Sequence, residues 1–318
     1  DTTIPATLRA VSAFKEGIAR RTLGWDPIHA DEQEYGGDRY AGRTFEFGIF
    51  SIFVPRGVRP DASKVHVFFS PGGAQGDSGL NAVLTHGMRG ASDASEYVLI
   101  GVPGKEPGFN SITTADITAC LARVGRPANV TALRLSAHSR GFRGLRETVR
   151  GALVDVSLVE RVAIFDANYQ SAASALRASG IPASRVVAYD VGTGTLPLAG
   201  SRTVGLPAGC MRAIGYSRLI QDAMVTRPSL AIPAAVRAQL LPLPPRGSFT
   251  TSAGPNNIVS FCTANSAAVR TILNQEGSPD GLRTFLDAND LVRFGQTFSP
   301  GIYSHHFFVA ELAHEVTD

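Results

Sequence analysis

The chain is 318 residues long, 44% hydrophobic and 18% charged, with a formal net charge of +3, the balance of a globular protein large enough to bury a substantial core. Of its 30 basic residues only Lys15, Lys64 and Lys105 are lysines; the arginines are scattered, which argues against a nucleic-acid surface. No run of 18 apolar residues occurs, so no transmembrane segment is expected.

Ala6 to Thr22 has helical apolar spacing through Leu8, Val11, Phe14, Ile18 and Ala19, which predicts an amphipathic helix that packs on the core. Thr44 to Val54 is rich in Phe and Ile, and Gly48 divides it into two short strands. Val65 to Phe69 is a compact buried strand running into the glycine-rich Ser70-Pro71-Gly72-Gly73-Ala74-Gln75-Gly76. Tyr97 to Val102 is another strand, followed by a helix from Ala115 to Val124 and a strand from Val130 to Leu135. After a helix beginning near Phe142 come the strand Val162 to Phe165, ending at Asp166, a helix over Ser171 to Ser179, and the strand Val186 to Tyr189, ending at Asp190. Strands alternating with helices at this pace mean an α/β protein with a mostly parallel central sheet flanked by helices. Such sheets bind ligands at the carboxyl ends of their strands, where Gly73, Ser139, Asp166 and Asp190 all fall.

From Gly192 to Pro300 the rhythm breaks. Helices are expected near Ser217 to Met224, Ile232 to Leu240, Ala267 to Leu273 and Leu282 to Leu291, with a single strand at Ile258 to Cys262. The chain thus divides into a core over 1–191, a helical cap or lid insertion plus one core strand over 192–300, and a closing core segment over 301–318. Of the three cysteines, Cys120 lies in a helix, while Cys210 and Cys262 share the late segment and either pair in one disulfide or stay free. The chain begins at Asp1 without a signal peptide, which fits a mature secreted or periplasmic protein and also a trimmed cytoplasmic one.

The densest chemical signal is Thr131 to Gly144, TALRLSAHSRGFRG. A buried strand ends in the tight turn Ala137-His138-Ser139-Arg140-Gly141 and a helix follows, the layout of a nucleophile elbow. The turn demands small residues two before and two after the serine, and Ala137 and Gly141 meet that demand. The pentapeptide pattern alone arises roughly once or twice by chance in a chain this long. Thr250 to Gly254 lies in a polar loop, and in Ala264 to Ala268 Ser266 or Asn265 is better read as a helix N-cap, so Ser139 is preferred on its surroundings.

A serine nucleophile needs a base, and the base a carboxylate. The chain order serine, acid, histidine is that of the α/β-hydrolases, and here the sequence resembles that superfamily. AHSRG is similar to the elbow of small bacterial lipases, and the stretch from FVPRGVRP to FFSPGG resembles the strand and oxyanion segment of bacterial esterases. A late histidine before a final helix completes the pattern. The resemblance covers Phe45 to Tyr189 and Gly301 to the end, and says little about Gly192 to Pro300. It makes Ser139 the nucleophile, the N–H of Arg140 one oxyanion donor, and an N–H at Gly72 or Gly73 the other. Ser70-Pro71 stands where the family has His-Gly, which leaves that second donor open. The resemblance points to His306, followed by Phe, as base, with His305 the alternative; His66 and His138 fall to structural roles. For the acid, Asp190 holds the commoner family position; Asp166 holds that of pancreatic-type lipases, in an Asp-Ala-x-Tyr segment, and is preferred.

The implied activity is cleavage of a carboxylic ester, on a small-molecule or lipid substrate, through an acyl-enzyme. An amide or peptide hydrolase with the same triad, or a non-catalytic binding protein on the same fold, are the alternatives. Arg140 and Arg143 at the mouth of the elbow suit an anionic substrate group, though a solvated helix start explains them more simply. No HExxH, no CxxC pair, no phosphate loop and no GxGxxG is present, so no metal and no cofactor are expected.

Overall fold

The computed structural model of the chain describes residues 43–55, 58–59, 61, 63–71, 88, 92, 95–104, 109–167, 170–192, 200–245, 247–289, 291, 308–309 and 311–317. The helix expected at Ala6 to Thr22 lies outside them.

Eight strands form one sheet: β1 (Arg43–Phe47), β2 (Phe50–Val54), β3 (Lys64–Phe69), β4 (Val98–Val102), β5 (Ala132–His138), β6 (Val159–Phe165), β7 (Val186–Asp190) and β8 (Arg202–Gly205), in the order β1-β2-β4-β3-β5-β6-β7-β8. The hairpin β1–β2 turns at Gly48, whose φ of +58° is one that a residue without Cβ adopts at little cost. β2 runs antiparallel to β4, and the six strands from β4 to β8 are mutually parallel. The buried Val, Ile and Phe runs of β3, β4 and β5 follow from this position, since a central parallel strand is covered on both faces.

Helices α1 (Thr114–Arg123), α2 (Phe142–Arg150) and α3 (Gln170–Ala178) cover one face. They link strands added successively in one direction, and right-handed crossovers then place every helix on the same side. α1 opens with a capping box, Thr113 and Asp116 each bonding the other's backbone N–H.

The opposite face is covered by the chain after β8: α4 (Ala208–Thr226), α5 (Ala234–Arg237), α6 (Ile258–Ala264), α7 (Ser266–Gln275), α8 (Leu282–Ala288) and α9 (His314–Thr317). Met211, Ile214, Leu219, Ile258, Leu286 and Leu312 share one core cluster with Phe68, Phe165 and Tyr189 of the sheet. The buried Arg218–Glu311 pair, 2.8 Å between Nε and Oε1, ties α4 to the C-terminal segment. Arg134 of β5 donates to the carbonyl of Val316, Arg161 of β6 to that of Glu315, and the Tyr189 hydroxyl to the Glu315 carboxylate.

Two expectations are corrected here. Ile258 to Cys262 is helix α6 and not a strand: the Asn257 side chain accepts the Ser260 N–H at 2.8 Å and caps the first turn. The strand found within 192–300 is instead β8, an edge strand in which only Val204 is buried. Its polar sequence carries too little apolar alternation to announce a strand. Ser266 is the first residue of α7.

Cys210 and Cys262 form a disulfide that pins α4 to α6 across 52 residues of sequence, and Cys120 is free and buried, its thiol pushed up to about 12 by burial and then by Asp116. Closing a loop of that length restricts the unfolded chain by about 4 kcal/mol. Replacing both partner cysteines by serine should lower the guanidinium unfolding midpoint by a corresponding amount; an unchanged midpoint would show that the bond closes no loop of consequence.

Candidate active site

The chain passes from β3 to β4 on one side, then returns to lay β5 on the other side of β3 and continues outward through β8. Strand order therefore reverses between β3 and β5, and the crevice outside their carboxyl ends is the ligand-binding position such sheets offer. β3 ends there at Phe69 and leads into Ser70 and Pro71, and β5 ends there at His138.

The next residue is Ser139, with φ +49°, between an extended His138 (φ −112°, ψ 135°) and a helical turn, Ser139–Gly141, that continues into α2. A non-glycine residue at positive φ stores backbone strain and persists only where its surroundings enforce it. Those surroundings are visible. A Cβ on Gly141 would lie 2.2 Å from the Phe69 carbonyl oxygen and 2.7 Å from that of Ser70, and one on Gly144 would lie 2.3 Å from the Asn110 carbonyl oxygen. The absence of side chains at these positions lets α2 start directly against the end of β3. Strand, strained serine and helix at the switch point of this sheet have the backbone geometry of a nucleophile elbow. The fold is that of the α/β-hydrolases.

Of the two glycines, Gly141 meets the more backbone: three backbone atoms lie within 2.7 Å of its would-be Cβ. Because the obstacle is fixed backbone, Gly141→Ala should lower stability by about 3 kcal/mol, read as a fall in the denaturant midpoint. A variant as stable as the wild type would mean that α2 can slide away from β3.

Asp166 follows β6, the strand beside β5. It is 3% exposed, has φ +42°, and is fastened to the end of β7: its N–H donates to the Tyr189 carbonyl at 2.7 Å, and its Oδ1 accepts the Val191 N–H at 3.2 Å. Asp190 ends β7 itself and is partly exposed. Its Oδ1 accepts the N–H of Gly192, two residues on, at 3.1 Å, the local bond of an Asx turn. Arg140 is exposed. Gly72, Gly73, His305 and His306 lie outside the described residues. Phe308 is 1% exposed and packs against the ring of His138, preceding Ser139, at 6.5 Å between centroids, and against that of Phe165, preceding Asp166, at 6.0 Å.

The other two core-facing histidines of the central strands are packed away from solvent. His66 is buried in β3 with Nε2 2.6 Å from the Ser136 hydroxyl; burial, and then the Arg134 charge, push it down to about 3, which favours the neutral ring. His138 lies under the elbow and against Phe308. The residues that sequence reasoning missed are Val191 and Phe308. A backbone N–H has no side-chain signature, and one Phe among 17 does not stand out until its neighbours are known. Among the described residues no group of three or more His, Cys, Asp or Glu could hold a metal ion, and no helix is long and apolar enough to cross a membrane.

No protein-family model matches this sequence, and neither does any curated protein. Solved structures similar to it include a thermostable esterase (15% identity over 53% of this chain and 54% of the other, TM-score 0.31), the carboxylesterase CesB of Bacillus subtilis (14%, 46% and 50%, 0.25) and a variant of the esterase rPPE (13%, 62% and 85%, 0.34). The chain thus spans about half the length of the first two.

Proposed function

We propose that the protein is a serine hydrolase that cleaves a carboxylic ester through an acyl-enzyme. The observation that carries this reading is Ser139 held at positive φ outside the carboxyl end of β5, at the switch point of the sheet. Such a turn is strained for any side chain, and here the strained residue carries a hydroxyl at the position where sheets of this kind bind their ligands.

In this reading the Ser139 hydroxyl attacks the ester carbonyl while a histidine takes its proton. The negative charge that develops on the carbonyl oxygen is met by the N–H of Arg140 and an N–H at Gly72 or Gly73. The histidine then returns the proton to the departing alcohol, and a water repeats the cycle to release the acid. His306 is proposed as the base, with His305 beside it. Phe308, two residues beyond His306, supports this through its contacts with the residues preceding Ser139 and Asp166.

Asp166 is proposed as the carboxylate that orients the histidine. It is the more buried of the two candidates, and its oxygen is held by the N–H of Val191, just beyond the neighbouring strand β7, rather than by its own turn. Asp190, engaged with Gly192, shapes the loop after β7. The pocket cover is assigned to part of 192–300, the segment that also supplies the helices over the sheet.

The test is reaction with a fluorophosphonate followed by peptide mapping. A single adduct on Ser139, with turnover of short esters and none of the matched anilides, is expected. No adduct on folded protein, or an adduct on Ser266, refutes the assignment.

A further inference from the structure

Arg143 is a charged group one helical turn after Ser139 in sequence that neither the fold nor the proposed chemistry uses. It sits in the first turn of α2, four residues after the serine, and is exposed. Its guanidinium carbon stands 5.3 Å from the centroid of the Phe109 ring and over it. Phe109 belongs to the loop that leaves the carboxyl end of β4. The close approach of Asn110 to Gly144 presses that loop against the same turn of α2, and the Asn110 side chain closes it by donating to the Pro103 carbonyl at 2.8 Å. The guanidinium is thereby held against the chain that follows the carboxyl end of β4.

Helix stability does not account for it. A cation in the first turn opposes the helix dipole, and the first turn of α2 contains no acidic residue to offset it. Among the described residues no carboxylate pairs with Arg143; the ring is its contact. Neighbouring Arg146, by contrast, is paired with Glu147 at 2.7 Å. A guanidinium resting one face on an aromatic ring keeps its in-plane N–H groups for an acceptor, and their fork matches the two oxygens of a carboxylate.

We propose that Arg143 is a specificity residue which binds a free carboxylate carried by the substrate, so that the preferred esters are anionic ones such as half-esters of short dicarboxylic acids. This rests on the reading of Ser139 as nucleophile, since the carboxylate is bound at the far end of a molecule whose ester group lies at the elbow.

Glutarate, the dicarboxylate that such a half-ester would release, is the probe. Calorimetric titration of the full chain should detect glutarate binding that weakens at least tenfold in Arg143→Gln and less in Arg143→Lys, with no binding of the neutral glutaramide. Saturating glutarate should also slow fluorophosphonate labelling of Ser139 in the wild type and leave it unaffected in Arg143→Gln. Absent glutarate binding, or equal binding by wild type and Arg143→Gln, overturns the proposal, as does Arg143-dependent binding that fails to slow labelling. A Ser139 adduct without glutarate binding removes this inference and leaves the hydrolase reading intact, whereas failure of that reading shows as no Ser139 adduct in the wild type.

Discussion

Ser139→Ala should reduce ester hydrolysis by about 10^4-fold or more while leaving the unfolding midpoint unchanged. The two halves of that expectation have different causes. Removing the hydroxyl removes the nucleophile, and the oxyanion donors alone retain only a small residual rate. The backbone strain stays because alanine, like serine, carries a Cβ at φ +49°. Ser139→Gly separates the two: it should be equally inactive, yet more stable by about 1 kcal/mol, the cost of holding a side chain in the left-handed region. Turnover by Ser139→Ala above a tenth of the wild-type rate would exclude this serine as nucleophile. Equal stability of the Gly and Ala variants would mean that the elbow stores no strain.

The second large effect separates the two carboxylates. Asp166→Asn should lower kcat by about 10^4-fold, because an amide in this position offers the histidine a donor and favours the wrong tautomer. The fold should survive, since asparagine tolerates positive φ and keeps an oxygen to accept the Val191 N–H. Asp190→Asn also preserves the turn bond to Gly192, and its kcat should stay within about threefold of wild type, the usual scale of a surface change of this kind. Parallel kcat measurements on the two variants decide between them, and the reverse ranking would move the acid to the end of β7.

How much of this was legible from the residues follows the range of each interaction. The β1–β2 turn at Gly48, the alternation of buried runs with helices, and the elbow with small residues around Ser139 are local, each set within a few residues by sterics or burial. Ile258 to Cys262 shows where local reading fails. Five residues rich in Ile, Val and Phe suit a strand or a buried helical turn equally, and the segment is helical under an Asn257 cap, with Cys262 bonded to Cys210 52 positions earlier. β8 is the converse case: Arg202 to Gly205 is polar and short, and becomes a strand because β7 presents an open edge to it.

The candidate site divides in the same way. By itself the sequence determined an α/β chain with a serine turn whose neighbours must be small, and a set of acids and histidines later in the chain, because burial patterns and turn sterics are written into adjacent residues. Only the tertiary structure decided that β3 and β5 are neighbours at the point where strand order reverses, that Phe69 is the backbone against which Gly141 must be bare, and that Asp166 is held by Val191 while Asp190 bonds within its own turn. Each of these is a contact between elements distant in sequence. The backbone groups that make such contacts are chemically alike in every residue, so their partners are chosen by how the sheet is assembled.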